Sequence, residues 1–146
     1  MPHNFLQQND TSRAQLKEFV ARLKDRDFER AVGTNWTISM LLCHLAFWDQ
    51  RVFFLLQEAQ AGRIEPARLS AQAIDSVNFA VRVLSTAIPG TAAAQLAIQS
   101  AELADAQAAQ TSDDVVGKIM SSGFERMLNR SLHRLDHLRK MKAALG

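Results

Sequence analysis

Apolar residues recur along most of the chain at intervals of three and four, which is the spacing of one face of an α-helix. The first such segment includes Leu16 and Leu23. It is predicted to begin near Asp10, where the side chain of Asp10, Thr11 or Ser12 can cap exposed amides, and to end before Gly33. Runs of β-branched residues are short and rare, whereas Ala, Leu, Gln, Arg and Glu are abundant. The pattern therefore predicts an all-α protein.

The second segment is the most apolar part of the chain. It is predicted to begin after Thr37, a suitable N-cap residue, and to run to Gly62. Between Ile38 and Leu56, apolar side chains point in every direction around the helix axis, so that no face is wholly polar. Such a helix has to be covered on all sides, either by the rest of its own bundle or by a partner subunit.

The rest of the chain predicts three more helices. A shorter one, with an apolar stripe from Ile74 to Leu84, follows Pro66 and ends at "IPG", residues 88–90. An Ala-rich helix occupies residues 91–110, "TSDD" at residues 111–114 closes it, and a last helix runs to the C-terminus. Four long helices, with a short connecting helix between the second and third, predict a four-helix bundle that forms a single domain over residues 1–146.

Charge and cysteine content exclude some classes of protein. The 17 Lys and Arg and the 15 Asp and Glu are interspersed, so a nucleic-acid partner is not expected. The lone Cys43 cannot form a disulfide within the chain, which favours a reducing cytoplasm. The first residues lack the features of a signal peptide, and no apolar run is judged long enough to span a bilayer, so no membrane association is expected.

Two histidines in "SLHRLDHLRK" raise the possibility of a metal site. His133 and His137 lie four residues apart, and from that spacing on a helix two imidazoles can reach one ion. On the helical wheel, however, both lie opposite an apolar stripe that includes Leu128 and Leu138, beside Arg130. That placement favours a solvated pair, and a metal site would need a third ligand.

His44 is the candidate third ligand, because it lies in the most apolar helix, where an unpaired imidazole is costly to bury. The residues alone favour a different interpretation, a core histidine that hydrogen-bonds a carbonyl group. The neighbouring Cys43 is rotated 100° around the helix and is interpreted as a small buried hydrophobe.

Three short motifs together resemble the DinB-like superfamily, which includes the metal-binding domain of mycothiol-dependent maleylpyruvate isomerase. They are "WTISMLLCHLAFWD" at residues 36–49, "IDSVN" at 74–78 and "HRLDH" at 133–137. The resemblance implies a four-helix bundle, often a homodimer, with a divalent ion held by one His of the second helix and two residues of the last. At the matching positions of this sequence the ligands are His44, His133 and His137.

The resemblance also implies a function. Three imidazoles on Zn²⁺ or Ni²⁺ leave a coordination position open, as in catalytic sites. The expected activity is that of a metal-dependent enzyme, a thiol S-transferase or a hydrolase, which activates a low-molecular-weight thiol or water against a small electrophilic substrate. The alternative is a non-catalytic, metal-binding or stress-linked dimeric scaffold protein.

Three further residues are candidates for substrate binding. Arg51 follows His44 by seven residues, on the same helix face, where it is suited either to an anionic substrate or to a surface ion pair. Trp48 can wall a pocket or pack in the core, and Asn78 can contact substrate or serve as a cap.

In two respects the sequence departs from the mycothiol-dependent isomerases. Those enzymes carry a second, C-terminal domain that contributes catalytic residues, whereas this chain ends at Gly146, so isomerase activity is not expected. One of their ligands in the last helix can be a carboxylate, whereas both matching positions here are His.

Overall fold

The computed structural model describes residues 4–146, and these are mainly helical, which confirms the all-α prediction. The helices are α1 (Asn4–Arg22), α2 (Ile38–Gln60), α3 (Ala71–Ser85), α4 (Gly90–Gln110), α5 (Asp113–Ser121) and α6 (Ser131–Leu145). Two 3₁₀ helices span Asp25–Glu29 and Glu125–Met127. A hairpin of two short antiparallel strands, β1 (Ala31–Val32) and β2 (Trp36–Thr37), precedes α2.

Four of these helices, α1, α2, α4 and α6, form the predicted bundle. α2 packs most extensively against α4, and α1 packs against both α4 and α6. α3 lies on α2 and joins it to α4, so it is the short connecting helix expected between the second and third bundle helices.

The face that α4 buries is made mainly of alanine. Its members, each no more than 5% exposed, are Ala93, Ala94, Ala97, Ala101, Ala104 and Ala108. Leu42 and Leu45 of α2 belong to the same core cluster as the first four of these alanines. Methyl groups let two helix backbones approach closely, and an interface packed in this way resists displacement of one helix against the other. The position of α2 is therefore determined by its contact with this alanine face.

The predicted start of α2 is confirmed at its cap. The Thr37 hydroxyl accepts a hydrogen bond from the backbone N–H of Met40 at 3.2 Å, which satisfies one of the amides that a helix N-terminus leaves free. The helix ends at Gln60, and Gly62 adopts a φ of +72°, a conformation that glycine tolerates best.

The predicted bounds of α1 are wrong at both ends. The helix begins at Asn4, before Asp10, because Asn9 in its first half is held by the far end of the chain. The Asn9 amide donates to the Leu128 carbonyl at 2.8 Å, and its oxygen accepts from the Arg130 N–H at 2.8 Å. α1 ends at Arg22, since the chain then turns into a 3₁₀ helix and the hairpin.

The last predicted helix is in fact two, α5 and α6, separated by a break at Gly123, where φ is +81°. Leu128 therefore precedes α6 and cannot belong to its apolar stripe. The buried residues of α6 are Ser131, Arg134, Leu138 and Met141. The predicted stripe is confirmed at Leu138, but it left out Arg134, a buried arginine in the middle of the core-facing side.

α2 is covered only in part. Phe47 is 38% exposed and Phe54 is 57% exposed, so the bundle alone does not cover this helix on all sides, and cover by a partner subunit stays a prediction. By length and composition alone α2 could cross a membrane, which the sequence pattern did not indicate. However, 56% of its apolar window is buried inside the protein, as in a core helix of a soluble bundle.

Candidate metal centre

The structure brings together the three histidines that the family resemblance singled out. The Nε2 atom of His44 lies 3.0 Å from Nε2 of His133 and 3.1 Å from Nε2 of His137. α2 contributes the first imidazole, and successive turns of α6 contribute the other two. His133 and His137 are half-buried and face His44, so their placement as a solvated pair on an outer face is wrong.

All three imidazoles are held in the neutral form. Burial lowers the pKa of His44 to about 4, and the nearby charge on protonated His137 adds to the effect. Burial and the Arg130 guanidinium lower the pKa of His133 to about 2. Burial and Lys140 lower the pKa of His137 to about 4. At neutral pH each ring therefore keeps the lone pair that a metal ligand needs.

The convergence of three Nε2 atoms fits a divalent ion. Two nitrogens that each lie about 2 Å from one ion are separated by roughly 3 to 3.5 Å, close to the two distances observed here. A neutral imidazole carries one N–H, so the three rings cannot satisfy one another fully. The buried Nδ1 atoms of His44 and His137 also lack a hydrogen-bond partner among the described residues. Three neutral nitrogen donors suit Zn²⁺ or Ni²⁺.

Two tryptophans flank the three histidines. The ring centroid of Trp36 lies 5.5 Å from that of His44, and the Trp48 centroid lies 6.4 Å from it. The Trp48 Nε1–H donates to the Asn78 side-chain oxygen at 2.9 Å, which ties α2 to α3 beside the site. Both Trp48 and Asn78 line a cavity, as their assignment as substrate-binding candidates requires.

This cavity has a volume of about 1110 Å³ and is open to the surface. The three histidines lie in its wall, together with Arg51. No carboxylate partner of Arg51 is found within residues 4–146, so the alternative of a surface ion pair is not observed there. Instead its guanidinium carbon lies 5.6 Å from the centroid of the Trp48 ring, in cation–π range.

A network of buried charges adjoins the site and was missed from the sequence. The Arg130 Nε–H donates to Asp49 Oδ1 at 2.8 Å, and Arg134 reaches the other oxygen of Asp49 at 3.3 Å. Arg134 also donates to both oxygens of Asp105, at 3.0 and 3.1 Å, and Arg13 contacts Asp105 at 2.6 Å.

The network reaches the site through Arg130, whose Nη2 lies 3.3 Å from Nδ1 of His133. The network therefore holds the start of α6, and with it His133, against α2. The signal that could have revealed it is Asp49, a lone acidic residue in the most apolar helix, because such a carboxylate needs a cationic partner.

Sequence comparison gives the family. The family described as mycothiol maleylpyruvate isomerase N-terminal domain matches residues 10–135. The chain belongs to this family. It is a family of the DinB-like superfamily, so the resemblance is confirmed. The match includes His44 and His133, and His137 follows its end by two residues. No curated protein and no solved structure matches the chain.

The remaining reactive side chain lies apart from the site. Cys43 is buried, and burial raises the pKa of its thiol. It forms no part of the three-histidine group, in agreement with its interpretation as a small buried hydrophobe. The fourth histidine, His3, lies outside the described residues.

Proposed function

We propose that this protein is a metal-dependent enzyme in which His44, His133 and His137 hold Zn²⁺ or Ni²⁺. The enzyme would activate a low-molecular-weight thiol or water for reaction with a small electrophile. The observation that carries the proposal is the convergence of three Nε2 atoms in the wall of an open cavity. A structural ion is closed off by four protein ligands. Among the described residues, no fourth Cys, His, Asp or Glu joins the group.

A divalent ion bound there would act as a Lewis acid with open coordination positions, lowering the pKa of a thiol or water that binds to it. The chain supplies the other requirements. Burial keeps the three imidazoles unprotonated, Trp36 and Trp48 provide an aromatic wall beside His44, and Arg51 offers a cation to the substrate.

The size of the cavity favours thiol transfer over hydrolysis. Pockets of about 300–1000 Å³ enclose drug-sized ligands, and the volume of this cavity, about 1110 Å³, is slightly above that range. Such a volume accommodates an electrophile together with a thiol cosubstrate, whereas hydrolysis of a small substrate needs far less space. The lone buried Cys43 is compatible with the cytoplasmic location that a free-thiol cosubstrate requires.

The first test is the metal content of untagged protein, measured by plasma mass spectrometry. About one equivalent of Zn or Ni per chain is expected in the wild type and none in the triple variant His44→Ala/His133→Ala/His137→Ala. The control is His3→Ala, which removes the chain's other histidine and should leave the metal content unchanged. Equal metal content in the triple variant and the wild type would contradict the proposal. Thiol-transfer and hydrolysis assays on loaded and stripped protein then separate the two reactions.

A second candidate, a dimeric binding or scaffold protein, is supported by exposed apolar residues. Of the twelve large exposed apolar side chains among the described residues, six lie on α2 and α3. They are Phe47, Phe54, Ile74, Phe79, Val83 and Leu84. We propose that a second copy of the chain covers this surface, as the resemblance implies. Sedimentation should give twice the monomer mass, and Phe54→Asp with Phe79→Asp should give a monomer. A dimer that shows no turnover in either assay would favour the scaffold.

A further inference from the structure

The cavity that contains the three histidines has a strongly cationic wall. Six of its lining residues are cationic at neutral pH and none is acidic. They are Arg51, Arg68, Arg126, Arg130, Arg139 and Lys140. Asp49 pairs with Arg130, and Asp136 pairs with both Arg139 and Lys140. The other three arginines have no carboxylate partner within residues 4–146.

These three arginines, Arg51, Arg68 and Arg126, all line the cavity and are called the arginine face below. The guanidinium carbon of Arg68 lies 5.5 Å from the ring centroid of Phe124, and Arg126 follows Phe124 by two residues. Phe124 packs against the core cluster that contains Val52, the neighbour of Arg51. The arginine face is therefore formed by the C-terminal half of α2, the segment before α3 and the second 3₁₀ helix.

An anion would relieve a charge conflict at this face. Burial and the positive charge of Arg130 lower the pKa of Arg51, which means that its surroundings disfavour the charged form. Guanidinium groups present paired N–H donors that match the oxygens of carboxylates and phosphates. Three such groups without acidic partners would suit an anion with two or more oxygens.

The ligand class follows from the position of the face. Arg51 follows His44 by seven residues of one helix, a separation of about 10 Å along the axis. The wall between them includes Trp48, which offers an aromatic contact, and Val52 adds an aliphatic contact just beyond Arg51. A small molecule enclosed by the cavity can bridge this distance, whereas a nucleic acid would need a basic stripe on the outer surface, where charges here are mixed.

We propose that the arginine face binds the anionic end of a small molecule, a carboxylate or a phosphate ester, whose reacting group lies about 10 Å away at the three histidines. The statement about the reacting group rests on the proposed function. Binding of the anion itself does not, because the arginine face shares no residue with the three-histidine group.

The test is isothermal titration calorimetry on metal-stripped protein with three probes: 4-phenylbutyrate, phenyl phosphate and the neutral 4-phenylbutyramide. At least one of the two anions is expected to bind with a dissociation constant on the order of 1 mM or lower. If only one of the two anions binds, that anionic group is the one that the arginine face recognises. If both bind, the arginine face recognises the oxyanion that a carboxylate and a phosphate share. Binding of neither, or equal binding of the amide, would overturn the proposal.

A matched pair of variants separates the site from net charge. Arg68→Gln with Arg126→Gln should raise the dissociation constant of the anion about tenfold, the effect of losing charge-assisted hydrogen bonds. Arg22→Gln with Arg63→Gln removes the same charge from exposed positions outside the cavity and should change binding less than about twofold. Equal weakening in the two double variants would mean that only net charge matters, and the arginine face would not be a site.

Failure of the metal site and failure of the arginine face give different results. The triple histidine variant should still bind the anion, because it retains all three arginines. Anion binding in a protein that never takes up metal would contradict the proposed function and support the arginine face. Metal uptake without anion binding would do the reverse. Quenching of Trp48, which lies beneath Arg51, gives a second readout in the same samples.

Discussion

Two polar clusters lie side by side within this apolar bundle, and they differ in how far their hydrogen bonds are satisfied. In the Arg–Asp network, Asp49 and Asp105 each accept from two arginines. Arg134 Nε is its one buried polar atom without a partner among the described residues. In the three-histidine group, two of the three Nδ1 atoms lack partners and the Nε2 atoms face one another.

The difference separates a structural cluster from a binding site. The network is charged and largely paired within the protein, so its ion pairs need no ligand. The histidines are neutral, incompletely paired and open to a cavity, so they leave a place for a cation. Arg130 joins the two clusters, since it holds Asp49 and lies next to His133. A rigid network can thus position a site whose own contacts are incomplete.

The largest expected effect comes from breaking the network. Asp49→Ala leaves Arg130 and Arg134 buried without their shared carboxylate, and a loss of about 3–5 kcal/mol in the free energy of unfolding is expected. Asp136→Ala, which removes exposed ion pairs with Arg139 and Lys140, should lose less than about 1 kcal/mol. Urea unfolding measures both. Similar small losses in the two variants would mean that the network does not hold the fold.

Binding of a metal ion to the three histidines should raise the free energy of unfolding, by slightly less than the loss of Asp49 lowers it. A free Zn²⁺ concentration of 100 times the dissociation constant should stabilise the wild-type protein by about 2.7 kcal/mol, because the ion binds the folded state. The triple His→Ala variant should gain nothing. Thermal unfolding with and without metal measures the difference, and an equal gain in the variant would place the ion elsewhere.

Acid should act on the histidines without metal. The folded protein lowers the pKa of His44 to about 4, below the value of about 6.5 for the unfolded chain, so the unfolded state binds more protons between these values. Stability should therefore fall as the pH drops below about 6.5, and His44 alone accounts for about 2 kcal/mol by pH 5.

Urea unfolding of stripped wild type and His44→Ala across pH 7 to 5 checks this prediction. The variant should show a shallower decline, whatever its stability at pH 7. Parallel curves for the two proteins would mean that the folded state does not lower the pKa of His44.

The smallest effect is expected at the contact between α2 and α3. Asn78→Ala removes the acceptor of the Trp48 N–H and should lower the free energy of unfolding by about 1 kcal/mol, with a change in Trp48 fluorescence. Asn35→Ala, at an exposed position, should change neither. If Asn78→Ala left the fluorescence unchanged, Trp48 would not depend on α3 for its position.

Much of the fold could be predicted from local pattern. The Thr37 cap, the long apolar helix α2 and the connecting helix α3 depend on signals within a few residues, and all three are observed. His44 was a candidate because an imidazole in so apolar a helix needs a partner. The convergence of His44 with His133 and His137 followed from the family motifs and not from periodicity.

The errors have a common physical cause, which is polar residues that are buried through distant partners. Arg134 counts as a surface residue on a hydropathy scale, yet it is 1% exposed because Asp49 and Asp105 neutralise it. This misplaced the buried side of α6 and made the two histidines look solvated. The early start of α1 has the same origin, since Asn9 is held by backbone groups more than a hundred residues away.

The alanine face of α4 has a consequence for the chemistry on the opposite side of α2. Because α2 contacts α4 far more than it contacts α6, the thickness of a methyl layer determines how near His44 comes to the histidines of α6. A larger side chain at Ala97 would push α2 away from α4 and change the distances between the three imidazoles, although it contacts none of them. The spacing of the three imidazoles is thus set by some of the smallest side chains in the bundle.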